Sequence, residues 1–407
     1  TTRTCVADAP STPGETPSPR SRTPSRGRSP GCPGTCRNFA DAARWQFLGI
    51  SPVTYTGRPT YPDITDALEP EDTPSSTTVD TPEERLLHRA VVIVAETNET
   101  WAQIPPPAAA GFLTTNASDT LAGVQGLARG DGGEEQLILD PGGPGDVDCD
   151  AEGVACQGII DGDGRTVRDN TTSSPWKRLV GLYPIRDANG SYLEESWCSG
   201  VFIGPRHVLT AAHCVWDRSV RKLRKFKVVP GLDGYGEDPY GAKSVAWYHI
   251  PKAWHDAGHL SSSKMLKYDY ALLVLADDGF NNGWFGFASE GYSDLKNSSV
   301  WNAGYPGGSW ECEHSPREDG TCGDFLYAMD CSLNKVHSRY TKFRCDSQLG
   351  QSGSPIYHYG NGNRHVVTVL HGGWGDYNVG CRIRDGNFDS LCEWIGETQT
   401  NASHDCQ

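Results

Sequence analysis

The sequence predicts an all-β protein of two closed barrels, preceded by a poorly structured N-terminal region and ending in a short helix. Three observations carry this. From about residue 158, short apolar runs such as VFIGPRHVLTA, YALLVLA and HVVTVLHGG recur, each bounded by Gly, Pro, Asn or Asp, which is the pattern of strands and turns. That texture lasts about 240 residues, enough for two barrels. Only SLCEWIG, near the end, has a helical pattern.

Taken in order, residues 1–36 mix Pro, Ser, Thr, Gly and Arg without hydrophobic period and read as a disordered tail. Residues 37–157 read as a loosely structured pro-region, with patches of order at RWQFLGI and ERLLHRAVVIVAE broken by IPPPAAAG and DPGGPGDVDCDAEG. The β-rich body spans 158–397, and 398–407 form a C-terminal tail.

Composition narrows the function. A net charge of -15 disfavours a nucleic-acid partner, because phosphate binding needs clustered Lys and Arg. Fourteen scattered cysteines with no C-x-x-C pair favour disulfides over zinc, and hence a secreted, extracellular protein. Asn98, Asn116, Asn170, Asn189, Asn297 and Asn401 each open a glycosylation sequon. The opening TTRTCVADAP lacks an apolar leader, so a signal peptide is expected to have been removed, and no run reaches the roughly 20 residues a membrane span needs. No metal or cofactor is expected. DVDCDAEG alternates carboxylates as a calcium loop does, but Ala151 and Gln157 replace the required Gly and Glu. His255 and His259 have i, i+4 spacing, yet Gly258 and the missing Glu favour a solvated loop.

Three short stretches carry chemistry. In CSGVFIGPRHVLTAAHC an apolar strand ends in small residues and His213. Cys198 and Cys214 are spaced to staple that hairpin, which would fix the imidazole of a general base; a core histidine is the other reading. In KYDYALLVLA, Asp269 precedes an aliphatic strand, where a carboxylate needs a donor. His213 could supply it, or Asp269 could cap a turn. In CDSQLGQSGSP, Gly350 and Gly353 bracket Ser352 and permit a tight turn that exposes its hydroxyl. The N–H groups of Gly350 and Ser352 could then form an oxyanion hole. A Gly/Ser loop alone is weak evidence, but the order His213, Asp269, Ser352 in one β-rich segment points to a nucleophile, base and orienter.

LTAAHC, DYALLVL and GQSGSP together resemble the signatures of chymotrypsin-fold serine endopeptidases. IIDGDGRTVRDNTTSSPW, YHIPKAW, GYPGG and GQSGSPIY are similar to the glutamyl endopeptidase branch of that family, over about residues 158–397. The resemblance implies two six-stranded antiparallel barrels, the triad His213, Asp269 and Ser352, and protein or peptide substrates cut by a monomer.

Specificity is argued from four residues. Asp346 lies six positions before Ser352, where trypsin-like enzymes bind Lys or Arg, but an aspartate is also common there in the glutamyl branch. What marks that branch is a histidine after the nucleophile, here His371, which with the Ser347 hydroxyl would bind an acidic P1 side chain; a satisfied strand-end histidine is the other reading. Ser347 stands where the branch usually has threonine. Gln351 replaces the aspartate that receives the new N-terminus in trypsin-like zymogens, and the resemblance puts the mature N-terminus near Ile159. Five cysteines precede residue 158 and nine follow; if all pair within the chain, at least one bridge crosses the boundary. A trypsin-like protease using Asp346, and a non-catalytic binding protein on a protease fold, are the competing functions.

Overall fold

Runs such as ALLVL and CSGVFIG, apolar or small at nearly every position, suit strands covered on both faces, and they fold that way, buried at every residue. The computed structural model describes residues 3–6, 44–54, 80–103, 158–398 and 405–406, with breaks at 188, 193–195, 219, 235–237, 258–262, 278–279, 281–282, 308–324, 361–362 and 375. The calcium-like run at 146–153, His259, Asn116 and Asn401 lie outside the described residues.

The N-terminal third contributes β1 (Arg3–Val6), β2 (Trp45–Ile50), β3 (Val53–Thr54), α1 (Pro82–Leu87), β4 (Ala90–Val94) and β5 (Glu99–Gln103). After β6 (Thr166–Val167) come β7 (Leu179–Pro184), β8 (Cys198–Gly204), β9 (His207–Thr210), α2 (Ala212–Val215), β10 (Trp216–Asp217), β11 (Lys222–Arg224), β12 (Phe226–Pro230), β13 (Lys243–Pro251), α3 (Lys252–Asp256) and β14 (Ala271–Leu275). β15 (Gly286–Ser289) and α4 (Tyr292–Leu295) lead to β16 (Ser299–Gly304), β17 (Tyr327–Val336), β18 (Tyr340–Phe343), β19 (Pro355–Gly360), β20 (Asn363–Trp374) and β21 (Tyr377–Arg382). The chain ends with α5 (Asp385–Thr398) and β22 (Asp405–Cys406).

Two sheets close. The first runs β12-β7-β8-β9-β14-β13 and is sealed by pairing of β12 with β13; the second runs β19-β16-β17-β18-β21-β20 and is sealed by β19 with β20. Every pairing within these rings is antiparallel. These are the two six-stranded barrels expected from the sequence. Closure leaves neither ring an open edge.

β13 is long enough to serve two partners. Its first residues, Lys243 and Ser244, close the barrel against β12, while Trp247–Pro251 pair with β4. Its burial is broken over 243–246 and continuous over 247–251, where β4 lies alongside. Ala90, Val91, Val92 and Ile93 of β4 are fully buried, and covering each of the branched side chains is worth about 1.5–3 kcal/mol. β5 and β2 extend the sheet outward. The two ordered patches expected at RWQFLGI and ERLLHRAVVIVAE are thus part of the first barrel's sheet, and of the tail at 1–36 only β1 is described, paired with β15 and β22.

The helix expected at 390–396 extends to Asp385–Thr398. Phe388, Leu391, Trp394 and Ile395 recur at helical spacing on its buried face. Trp394 stacks on Tyr270, with ring centroids 5.4 Å apart, beside the strand β14. Among the described residues no helix is long and apolar enough to cross a membrane.

Candidate active site

β9 delivers the chain into α2, a single turn whose second residue is His213, and the approach to β14 delivers Asp269. Asp269 is fully buried and His213 is 3% exposed. The carboxylate holds its neighbour twice: Oδ1 accepts the His213 backbone N–H and Oδ2 faces Nδ1, both at 2.8 Å. Burial alone would push the Asp269 carboxyl up, but the charge of His213 and the hydrogen bonds from His213 and His371 outweigh it and hold the group far below the usual carboxylate range. An ionised acceptor fixes the proton on Nδ1 and leaves Nε2 to act as base.

Cys198 and Cys214 form the expected disulfide, joining β8 to α2. Cys214 Sγ lies 3.9 Å from His213 Nε2 and 3.8 Å from the Ser352 carbonyl oxygen. Ser352 is 2% exposed, and its carbonyl accepts the Ser199 N–H of β8 at 2.7 Å. The staple therefore ties the histidine turn to β8, and the Ser199 N–H ties the serine turn to the same strand.

The turn at Ser352 requires both of its glycines. Gly350 has φ +93° and Gly353 φ +79°, values that side chains resist. A Cβ at Gly350 would lie 2.4 Å from Gly307 N, and one at Gly353 2.1 Å from Thr210 Oγ1. Ser199 Oγ donates to the Gly350 carbonyl at 2.9 Å, and Ser354 Oγ to the Gln351 carbonyl at 2.6 Å. The second bond fixes the peptide plane that carries the candidate oxyanion donor Ser352 N–H, and the plane that carries the Gly350 N–H is held by Gly307 N, which donates to the Leu349 carbonyl at 2.8 Å.

Asp346 is occupied. Its Oδ1 accepts from Ile160 N at 2.8 Å and its Oδ2 from Gly164 N at 2.7 Å. Burial raises its carboxyl pKa, against those two hydrogen bonds. Gln351 is engaged by the same segment: its Oε1 accepts from Arg165 Nη1 at 2.5 Å, and Arg165 also pairs with Asp163. Asn378 Nδ2 donates to the carbonyls of Gly158 and Cys345, and β6 pairs with β17. Arg165 and Asn378 were missed from sequence; the one signal was Arg165 in DGDGR, a cation beside two acids. Ser347 N donates to the Gly158 carbonyl at 3.2 Å, and its buried hydroxyl has no hydrogen-bond partner among the described residues.

His371 joins the pair rather than standing apart. Its Nδ1 lies 2.5 Å from Asp269 Oδ2, and its ring meets that of His213 edge-on at 5.1 Å. Burial lowers its pKa, against the pull of Asp269. A register shift between Leu370 and Gly372 in the pairing with β21 marks a bulge at this residue, the device that turns a side chain out of a strand's alternation. No hydrogen bond among the described residues joins the Ser347 hydroxyl to His371, the two expected P1 residues.

Two residue clusters among those described have metal-ligand spacing: Cys198, His213 and Cys214, and His213, Asp269 and His371. The first is spent in the disulfide and the second in hydrogen bonds to one carboxylate. His255 instead bonds Asp256 and lies 4.6 Å from the Trp216 ring. Cys331 pairs with Cys345, Cys392 is also in a disulfide, and Cys381 is buried and free. The free thiol removes the premise that all fourteen cysteines pair, and with it the parity argument for a bridge across residue 158.

Known proteins fit this geometry. Residues 198–367 match the family model described as the trypsin-like peptidase domain. The chain is 29% identical over 252 residues to a glutamyl endopeptidase of Bacillus licheniformis, covering 59% of this chain and 70% of that protein. It is 26% identical to an extracellular metalloprotease of Bacillus subtilis, covering 63% and 75%. It is 26% identical to the inactive serine protease 35 of Homo sapiens, covering 56% and 67%. Two six-stranded barrels, the matching domain model and these relatives lead to one conclusion: the chain has the chymotrypsin-like fold, with a trypsin-like peptidase domain over residues 198–367, and is similar to the glutamyl endopeptidase branch.

Proposed function

We propose that the protein is a secreted endopeptidase that acylates Ser352 and prefers Glu or Asp at P1. The carrying observation is the double hold of Asp269 on His213, at the ring and at the backbone. His213 Nε2 takes the Ser352 proton as Oγ attacks the substrate carbonyl. The developing oxyanion is met by the N–H groups of Gly350 and Ser352, about 3–4 kcal/mol of transition-state stabilisation for each donor. His213 then gives the proton to the leaving amine, the C–N bond breaks, and water hydrolyses the acyl-enzyme by the reverse sequence.

The P1 preference is supported first by Asp346, whose two oxygens already accept backbone N–H groups and so offer little to a Lys or Arg side chain. The buried, unpartnered Ser347 hydroxyl suits a donor to a carboxylate, and His371 is the candidate charge partner. Cleavage near 157–159 would activate the chain. The named activity of the Bacillus licheniformis relative agrees with this reading. Profiling a peptide library across pH 5 to 9 tests it; faster cleavage after Lys or Arg than after Glu overturns it.

A non-catalytic protein on the same fold is the second reading, favoured by the similarity to an inactive serine protease. A phosphonofluoridate probe separates the two: labelling of Ser352 supports the enzyme, and an unlabelled protein after cleavage near 157–159 supports the scaffold.

A further inference from the structure

The residues that flank Asp269 are held from outside the 158–397 body. Lys267 Nζ lies 3.0 Å from Asp80 Oδ1 and 3.2 Å from Glu84 Oε1. His88 Nδ1 lies 3.0 Å from the Tyr270 hydroxyl, and its ring is 4.7 Å from that of Tyr268. Positions 267, 268 and 270 are thus gripped by one short segment, 80–88, while Asp269 between them faces His213. The grip is buried: His88 is 2% exposed and the Lys267 side chain 9%.

The segment is wedged in place. A Cβ at Gly386, in the first turn of α5, would lie 2.0 Å from Asp80 Oδ2 and 2.9 Å from His88, so the helix meets it with no side chain between. Gln103 Nε2 bonds Glu393 of the same helix at 2.5 Å, and Arg89 Nη1 bonds the Gln103 carbonyl at 2.7 Å. Between these anchors Ala90–Ile93 of β4 run fully buried along β13. A propeptide that departs on activation would strip β13 and leave Lys267 without its carboxylates.

We infer that residues 80–103 are a permanent part of the catalytic body, and that Asp80, Glu84 and His88 are positioning residues for the Asp269 turn. Cleavage near 157–159 then yields a two-chain protein whose N-terminal chain stays bound and is needed for turnover. This rests on the serine-protease reading of His213, Asp269 and Ser352.

The test uses the full chain and two readouts. A site-specific protease sequence inserted between residues 104 and 157 is cut, and the product is passed over a sizing column in mild reductant. Co-elution of the two fragments is expected; separation with turnover retained overturns the inference. Asp80→Asn with Glu84→Gln is expected to lower kcat at least tenfold with KM within twofold, and the exchange of charges in Asp80→Lys with Lys267→Asp to recover part of that loss. Proton NMR of the imidazole N–H groups bound to Asp269 reads the positioning without turnover: their downfield signals are expected to broaden or vanish in the Asp80/Glu84 variant. Unchanged signals in that variant overturn the positioning role. An inactive wild type with intact signals that the variant loses would overturn the protease reading alone.

Discussion

His371 Nδ1 and Asp269 Oδ2 lie 2.5 Å apart, so the carboxylate that faces His213 is also shared with a second imidazole. The residue that sequence marked for substrate selection is therefore in contact with the candidate catalytic pair, His213 and Asp269. Replacement by alanine separates its two roles. His371→Ala should lower kcat for every substrate, by about tenfold for one lost charge-assisted bond, and His371→Asn should restore part of it. A selector role adds a second signature: the preference for Glu over Gln at P1 should collapse in both variants.

Ser352→Ala should abolish hydrolysis while leaving the circular dichroism spectrum and unfolding midpoint near wild type. Asp269→Asn should cost about 10⁴ in kcat, because the amide no longer fixes the imidazole tautomer. Steady-state kinetics on a Glu-P1 peptide measures both.

Asp346→Asn discriminates structure from specificity. The amide keeps one acceptor and so holds only one of the Ile160 and Gly164 N–H groups, a loss of about 1–3 kcal/mol in urea unfolding. P1 preference should not move. A basic-P1 enzyme would instead lose its Lys and Arg cleavage.

Acid should destabilise the protein through His88. Burial, followed by the nearby Lys267, holds its pKa down to about 3, while the unfolded side chain titrates near 6.5. The unfolded state binds the extra proton as pH falls below about 6.5, so stability present at neutral pH is lost progressively down to about pH 3. In His88→Gln the drop in unfolding free energy between pH 7 and pH 4.5 should be smaller than in wild type.

Removing the staple with Cys198→Ala and Cys214→Ala should cost about 3 kcal/mol from a loop of this length. It should also reduce kcat, because the bond holds the histidine turn against β8, the strand whose Ser199 N–H also holds the Ser352 carbonyl. Unfolding and kinetics on the double variant measure both effects.

The barrels and the three catalytic candidates were legible because each is encoded locally: strands by short apolar runs, His213, Asp269 and Ser352 by a few neighbouring residues. The disulfide at Cys198 and Cys214 was legible for the same reason. The link from His371 to Asp269 was not, since it depends on a bulge in β20 that alternation along the strand does not reveal. The occupation of Asp346 depends on a segment more than 180 residues earlier in the chain. The start of α1 did carry a readable signal, Thr81 capping Glu84 reciprocally with Pro82 at the first helical position, and it marks order in a region that composition made look slack.

The pairing of β4 with β13 constrains the chain as it is being made. Val92 meets His249, so AVVIVA leaves the ribosome roughly 150 residues ahead of the strand that covers it, several seconds at ordinary rates of synthesis. In that interval β5 can cover one of its edges, but the edge that β13 will take stays open, the kind that recruits other chains. Yield on expression should therefore depend on whatever shields this strand until residue 251 has emerged.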